Sequence, residues 1–179
     1  MNAYNKSGLN KKGFTLIEII VSLVIVGIIT AVAGMGIVMV TQKFYFAKEN
    51  AETAQKAQVA LMRLMKEFAA ISAVSAGSAT SIAFSSYKAG ILGTRQVSWA
   101  GSAGDPLVFD NDTTDGEAAD TLTDNVNSFA LAYYDTHTSA SQTSWSSSTK
   151  VIEITLTLTG ANDIASAFTV RITPKNIWT

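Results

Sequence analysis

One carboxylate stands inside an apolar stretch near the start of the sequence. Glu18 is the fifth residue of a run of 27 residues, Phe14 to Val40, that is otherwise almost free of polar side chains. An ionisable group in such a segment is costly unless it is paired, so it is a functional hypothesis by default. A cut just before Phe14 would create an amino group four residues away, on roughly the same side of a helix. We therefore predict that Glu18 pairs with an amine of its own chain or of a neighbouring subunit.

The element that positions Glu18 is predicted to be a membrane helix. A bilayer core needs about 20 apolar residues as a helix, and the run exceeds that length. Three lysines precede it (Lys6, Lys11 and Lys12), and such residues stay on the cytoplasmic side. We expect a single pass through a membrane, with the N-terminus cytoplasmic and the C-terminal part outside the cytoplasm. No small-residue cleavage site follows the run, so the alternative is an uncleaved signal anchor.

The residues around the start of the run resemble a known processing signal. The segment from Lys11 to Glu18, KKGFTLIE, is similar to the prepilin peptidase recognition motif of type IV pilins and type II secretion pseudopilins. The resemblance implies cleavage after Gly13, N-methylation of Phe14, and assembly into a filament guided by Glu18. It implies a prepilin peptidase, other pilins or pseudopilins, an inner-membrane platform protein and an ATPase as partners. It also implies a location in the bacterial inner membrane, with the C-terminal part periplasmic or extracellular, and in a filament after assembly.

Glycines take a place in this run where pilins often have a helix-kinking proline. The sequence has Gly34 and Gly36 there, which predicts local loosening of the helix rather than a kink.

Beyond Val40 the helix pattern continues but becomes amphipathic. Apolar or small residues recur at steps of three and four, which predicts one helix from Phe14 to Ile71. We expect it to end in the Ser72–Ser81 stretch, where Gly77 and several serines indicate a loop. The predicted domains are a leader peptide (1–13), a transmembrane and filament-core helix (14–40), an amphipathic helix half (41–72) and a periplasmic β-rich globular domain (73–179).

After Ser81 the apolar residues alternate with polar ones, as in β-strands. The candidate strands are Val151–Thr159, Phe168–Thr173, Val126–Tyr134, Ser81–Tyr87, Gln96–Trp99 and Leu107–Phe109. Short polar connections between them predict an antiparallel sheet packed on the amphipathic half of the helix. The fold class is α+β, with the long N-terminal helix on an antiparallel β-sheet, as in the pilin fold.

The C-terminal strands carry a second resemblance. Residues Leu122–Asn176 are similar to the J-type minor pseudopilin and the W-type minor pilin in strand order and in a Trp-containing polar loop. This resemblance implies a minor subunit of a type IV pilus or a type II secretion pseudopilus. A major pilin, and a minor pilin that acts as a binding module for adhesion or DNA uptake, remain as alternatives.

Composition excludes several other functions. The chain has no cysteine, so disulfides and thiolate metal sites are excluded. The net charge is −1, and without residues 1–13 it is −4, with ten basic and fourteen acidic residues. Such a balance argues against nucleic-acid binding, and no nucleic-acid partner is expected. His137 is the single histidine and has no signalled catalytic partner, and no Gly-x-Ser-x-Gly elbow exists. The chain is predicted not to be an enzyme.

An acidic loop supplies the one candidate for a metal site. Asp110, Asp112 and Asp115 offer closely spaced oxygen ligands of the kind that calcium needs. Their spacing does not match the twelve-residue calcium loop, because the glycine is one place too late. A solvated loop is the favoured interpretation, and no cofactor is otherwise expected.

Overall fold

The computed structural model describes residues 13–88 and 90–177 of the 179. The chain divides into two compact units, Met1–Tyr45 and Phe46–Thr179, which are described separately. Apart from Gly13, the predicted leader and its three lysines lie outside the described residues.

The first element is the helix α1, Leu16–Ala69, with 54 residues. The sequence predicted this helix from Phe14 to Ile71, which is two residues too long at each end. The expected loop over residues 72–81 was wrong, because the strand β1 (Ile71–Gly77) follows the helix almost at once. Pairing with the next strand and complete burial of Ile71 stabilise β1 although its sequence is rich in serine and alanine.

Seven further strands follow, and they form two sheets rather than the single sheet predicted. They are β2 (Ser81–Lys88), β3 (Ile91–Trp99), β4 (Leu107–Asp110), β5 (Asp120–Thr123), β6 (Val126–Tyr134), β7 (Val151–Thr159) and β8 (Ala165–Ile172). The five-stranded sheet has the order β1-β2-β3-β4-β5 and the three-stranded sheet the order β6-β7-β8, with all pairs antiparallel. The sheets separate at the two-residue connection after β5, where Asn125 has a positive φ of 52°.

Within the second unit, α1 packs across the five-stranded sheet. Successive residues of the helix contact the strands in reverse chain order. Lys56 Nζ lies 2.7 Å from Asp124 Oδ1, just after β5, and the Arg63 guanidinium lies 4.8 Å from the centre of the Phe109 ring of β4. Further along, Glu67 Oε2 lies 2.7 Å from Arg95 Nη1 of β3, and the Phe68 ring lies 5.6 Å from the Phe84 ring of β2. The strands therefore cross the helix one after another along its length.

The core of this unit joins one face of α1 to the inner faces of both sheets. The buried helix residues are Ala57, Ala60, Leu61, Leu64 and Phe68, whose spacing of three and four places them on one side. Strand β7 contributes Ile152, Ile154, Leu156 and Leu158, all buried as the alternation predicted. These observations confirm the α+β, pilin-like fold, with a long N-terminal helix packed on antiparallel sheets.

The two sheets are joined at the turn after β1. Tyr133 Oη of β6 donates a hydrogen bond to the Ser78 carbonyl oxygen at 2.8 Å, and burial raises the pKa of this phenol. The Leu131 N–H donates to the Ala79 carbonyl oxygen at 2.7 Å. A Cβ atom on Gly77 would lie 2.7 Å from the Cβ of Trp145, so only glycine fits this approach.

Candidate functional site

The start of α1 is a capped helix terminus that contains Glu18. The Thr15 Oγ1 accepts a hydrogen bond from the Glu18 backbone N–H at 3.3 Å, and the Thr15 carbonyl oxygen accepts from the N–H groups of Glu18 and Ile19. Thr15 is therefore the N-cap, and Glu18 is the third helical residue. A carboxylate in the first turn is favoured by the positive end of the helix dipole, so this position suits Glu18 before any partner arrives.

Three hydroxyl side chains of the first unit hydrogen-bond within their own helix, unlike the Glu18 carboxylate. The hydroxyls of Ser22, Thr30 and Thr41 each donate to the carbonyl oxygen four residues earlier, at 2.7, 2.7 and 2.9 Å. Such bonds allow hydroxyls to reside in lipid without an unsatisfied donor. Over the described part of the chain, the Glu18 carboxylate has no hydrogen-bond or ion-pair partner.

The described part of α1 before residue 50 is exposed throughout, although it is strongly apolar. Its most apolar window of 18 residues has a mean hydropathy of 2.8, and none of that window is buried. By length and composition, α1 is the one described helix that could cross a membrane. A surface this apolar must be covered by lipid or by other helices.

A family model described as the prokaryotic N-terminal methylation motif matches residues 8–34, which include Gly13, Phe14 and Glu18. The chain carries a prokaryotic N-terminal methylation motif, which covers 27 of its 179 residues. The match confirms the predicted motif, and the exposed apolar helix is consistent with membrane anchoring of a pilin. No curated protein and no solved structure matches the chain.

The glycines of α1 do not interrupt the helix. α1 continues through Gly34 and Gly36 as regular helix, so the predicted local loosening is absent from the described structure. An added Cβ at either position, or at Gly27, would meet no atom within 4 Å. These positions are open on the surface of the helix, where a neighbouring helix could approach closely.

Thr15 was missed in the sequence, although a signal for it was present. A threonine followed three residues later by glutamate, immediately before an apolar run, is a capping-box pattern. The presence of Glu18 in the processing motif obscured its second role as a residue of the first helical turn.

The acidic loop after β4 is organised by its own hydrogen bonds. Asp110 Oδ1 accepts from the Asp112 N–H at 3.0 Å, and Asp115 Oδ1 accepts from the Glu117 N–H at 2.9 Å. Asp112 Oδ1 accepts from the Thr114 hydroxyl at 2.6 Å, and this bond lowers the pKa of Asp112. These are local turns of the kind that aspartate forms.

Within residues 13–88 and 90–177, no group of three or more histidine, aspartate or glutamate side chains could hold a metal ion. The three candidate calcium ligands, Asp110, Asp112 and Asp115, are therefore not brought together as a site. His137 is exposed, and its carbonyl oxygen accepts a hydrogen bond from Arg171 Nη1 at 3.3 Å.

Proposed function

We propose that the prepilin is cleaved after Gly13, N-methylated at Phe14 and assembled through Glu18 into a filament. It is a structural subunit of a type IV pilus or a type II secretion pseudopilus, with a minor role. Before assembly it resides in the inner membrane as a single-pass protein, with its C-terminal domain in the periplasm. Its partners are other pilins or pseudopilins and an inner-membrane platform protein.

The observation that carries this proposal is the unpartnered Glu18 carboxylate on an exposed apolar helix. The methylation-motif match supports a prepilin peptidase as the processing enzyme. Cleavage after Gly13 would leave the amine of Phe14 one residue before the N-cap, Thr15. A methylated amine stays cationic, so it can neutralise a carboxylate in a low-dielectric surrounding. An amine from a neighbouring subunit would in addition fix the register between the two helices.

During assembly the apolar half of the helix would move from lipid to contact with other helices, and it would be shielded from water in both surroundings. Lipid tails are as apolar as leucine or isoleucine, so hydrophobic burial contributes little to helix association there. Close packing at small residues such as Gly27 and Gly34, together with the Glu18 ion pair, would supply the association energy.

The minor role is supported by the resemblance of Leu122–Asn176 to J-type and W-type minor subunits. In the structure this stretch contains all of the three-stranded sheet, β6-β7-β8, and the loop around Trp145. The alternative of a major pilin requires many copies in one filament.

Replacement of Gly13 tests the processing site. Gly13→Ile places a β-branched side chain at the residue before the proposed cut, and we expect it to block cleavage. Intact-mass measurement of membrane-purified protein reads the outcome directly. Wild-type protein should lack residues 1–13 and carry one added methyl group. A cleaved Gly13→Ile product, or a wild-type mass that includes residues 1–13, would sink the assignment.

Replacement of Glu18 tests the assembly role. Glu18→Val should leave membrane insertion and cleavage intact, because the run remains apolar. Loss of an ion pair worth more than about 1.4 kcal/mol would lower incorporation into sheared filaments at least about tenfold. Ser22→Val, one turn later in the same run, is the matched control and should assemble normally. Wild-type incorporation of Glu18→Val would contradict the pairing.

A further inference from the structure

Asp115 and Gly116 form a chemically reactive pair in the loop between β4 and β5. Asp115 is the one aspartate of the sequence that is followed by glycine, and no asparagine is followed by glycine. The backbone nitrogen of the residue after an aspartate can attack the side-chain carboxyl carbon, which closes a five-membered ring. A side chain on that following residue hinders the attack, and glycine has none. The sequence of this pair therefore favours ring closure more than that of any other aspartate in the chain.

The folded structure leaves both reacting groups accessible. Asp115 and Gly116 are exposed. Among the described residues, no acceptor receives a hydrogen bond from the Gly116 N–H. A Cβ atom added at Gly116 would meet no atom within 4 Å, so the space around this residue is open. Water, which opens the ring once it has formed, can therefore reach the site.

The Asp115 carboxyl is held against its own backbone. Its Oδ1 accepts a hydrogen bond from the Glu117 N–H at 2.9 Å. The loop of atoms that this bond closes contains both the Asp115 Cγ and the Gly116 nitrogen. The bond thus keeps the carboxyl beside the peptide unit that attacks it, and such proximity lowers the entropic part of a reaction barrier.

Two other aspartates of the same loop provide internal comparisons. Asp110 Oδ1 accepts from the Asp112 N–H at 3.0 Å in the same arrangement, but the residue after Asp110 is an asparagine, whose side chain hinders attack. Asp112 is followed by a β-branched threonine. Its Oδ1 accepts two hydrogen bonds from Thr114, at 2.6 and 3.1 Å, and these bonds lower the pKa of the Asp112 carboxyl. A lower pKa keeps Asp112 ionised, and a carboxylate is attacked less readily than a neutral carboxyl.

We propose that Asp115 is a site of spontaneous conversion to isoaspartate. The Gly116 nitrogen forms a bond to Cγ of the protonated carboxyl, and the amide proton and the carboxyl hydroxyl leave together as one water molecule. A second water molecule then opens the ring at either of its carbonyl carbons. Opening at Cγ restores aspartate, whereas opening at the main-chain carbonyl carbon gives isoaspartate, whose backbone runs through Cβ and Cγ. One water leaves and one enters, no electrons are transferred, and the mass of the protein is unchanged.

The loop can accept this change without loss of the sheet. Isoaspartate lengthens the backbone by one carbon atom, and residues 113–119 are all exposed. The loop is fixed before this stretch by the Thr113 N–H, which donates to the Thr94 carbonyl oxygen of β3 at 3.0 Å, and after it by β5. The modification would therefore alter the surface of the C-terminal unit as the protein ages. It goes beyond the proposed filament role and does not depend on it.

Ageing of the full-length protein tests the proposal directly. Protein purified in detergent would be kept at neutral pH for several weeks and digested, and the loop peptides analysed by electron-transfer fragmentation, which gives distinct fragments at isoaspartate. Enzymatic methylation of isoaspartyl carboxyl groups provides an independent measure. We expect isoaspartate at Asp115 to form at least about tenfold faster than at Asp110 or Asp112, which corresponds to a barrier lower by about 1.4 kcal/mol. Equal rates at the three positions, or no isoaspartate at Asp115, would overturn the proposal.

Replacement of the glycine tests its part in the reaction. Gly116 has a φ of 75°, and asparagine tolerates such a conformation better than most residues, so Gly116→Asn adds a side chain while it keeps the turn. We expect isoaspartate at Asp115 to form at least about tenfold more slowly in this variant, with an unchanged melting temperature. Asp115→Glu is the assay control, because its attack would have to close a six-membered ring, and it should give no signal at this position. An undiminished rate in Gly116→Asn, or an undiminished signal in Asp115→Glu, would contradict the proposal.

A comparison with unfolded protein tests the part played by the fold. The same full-length protein would be aged in guanidinium chloride at the same pH. Because the folded loop leaves the Gly116 nitrogen accessible, we expect the folded and unfolded rates at Asp115 to agree within about tenfold. A folded rate further below the unfolded one would mean that the loop protects Asp115, and the proposal would then be wrong.

Discussion

The two parts of α1 differ in whether the rest of the chain buries their apolar side chains. In Leu16–Tyr45, every side chain is exposed, and the apolar residues surround the helix. In Phe46–Ala69, five apolar residues lie on one face and are buried by the strands of the same chain. The first part depends on partners from outside the chain, and the second has its partner within it. The spacing of apolar residues, rather than their number, thus decides where a core forms.

The largest expected difference between the two parts comes from one pair of phenylalanines. Phe68 is 0% exposed and stacks edge-on against Phe84, whereas Phe44 is 65% exposed. Phe68→Ala should lower the free energy of unfolding by about 3–5 kcal/mol through the lost burial and the cavity. Phe44→Ala should change it by less than about 0.5 kcal/mol.

Thermal unfolding of full-length protein in detergent, followed by tryptophan fluorescence, compares these two variants. Equal melting temperatures for Phe68→Ala and Phe44→Ala would contradict the division of the helix into a packed part and an unpacked part.

A smaller difference is expected for two glutamates of α1. The Glu67 side chain is 17% exposed and pairs with Arg95, which is 5% exposed and also donates to the Ser86 hydroxyl at 2.6 Å. Glu67→Gln would leave the buried Arg95 charge without its counter-ion. We expect this change to lower the free energy of unfolding by about 2 kcal/mol, because the glutamine can still keep one hydrogen bond to Arg95. Removal of a negative charge from the last helical turn would restore at most about 1 kcal/mol of this stability, because the C-terminal end of a helix dipole is negative.

Glu18→Gln is the matched control for Glu67→Gln. Urea unfolding should show a lower midpoint for Glu67→Gln and an unchanged one for Glu18→Gln, whose effect is expected in assembly alone. A loss of domain stability in Glu18→Gln would mean that the two parts of the helix are not independent.

The smallest effect is expected at the ion pair between Lys56 of α1 and Asp124, which follows β5. The hydrogen bond from Lys56 lowers the pKa of Asp124 below its usual value. A lowered pKa in the folded state contributes stability above the unfolded pKa, near about 4, and that stability is lost as the pH falls through the folded pKa. Both side chains are more than half exposed, so solvent screening limits the contribution to less than about 1 kcal/mol.

Asp124→Asn should therefore melt slightly below wild type at neutral pH, by less than about 4 °C. The difference should stay constant down to about pH 5 and shrink as the pH falls below about 4. A difference that grows towards low pH would contradict the direction of the Asp124 pKa shift.

The sequence predicted those elements whose signal is local and strong. The α1 stripe, with Leu61, Leu64 and Phe68 at helical spacing, marked the buried face. Two strands, Val126–Tyr134 and Val151–Thr159, were predicted with the bounds that the structure has. In these segments local pattern and tertiary packing favour the same conformation, so the pattern was sufficient.

The elements that sequence reasoning missed depend on partners distant in the chain. β1 consists of small residues typical of a loop, and it is a strand because β2 supplies its hydrogen bonds. β5 has only four residues and pairs only with β4. The Arg95–Glu67 pair joins residues 28 positions apart, so no local pattern indicates it. At the helix start, by contrast, the motif is contiguous, and Gly13, Phe14 and Glu18 could be proposed from sequence alone.

Both sheets are simple meanders, because each strand pairs only with the strand before or after it in the chain. Such an arrangement keeps paired residues close in sequence, and each strand can pair as soon as the next strand of the chain is present. If the N-terminus stays in the cytoplasm and the chain after the apolar part of α1 is exported in sequence order, β1 to β8 emerge in the order in which they pair. Its secretion and its folding would then proceed in step, with little unpaired strand edge exposed at any moment. Limited proteolysis of chains arrested during translocation should show β1–β5 protected before β6 emerges, and protection only after release would contradict this order.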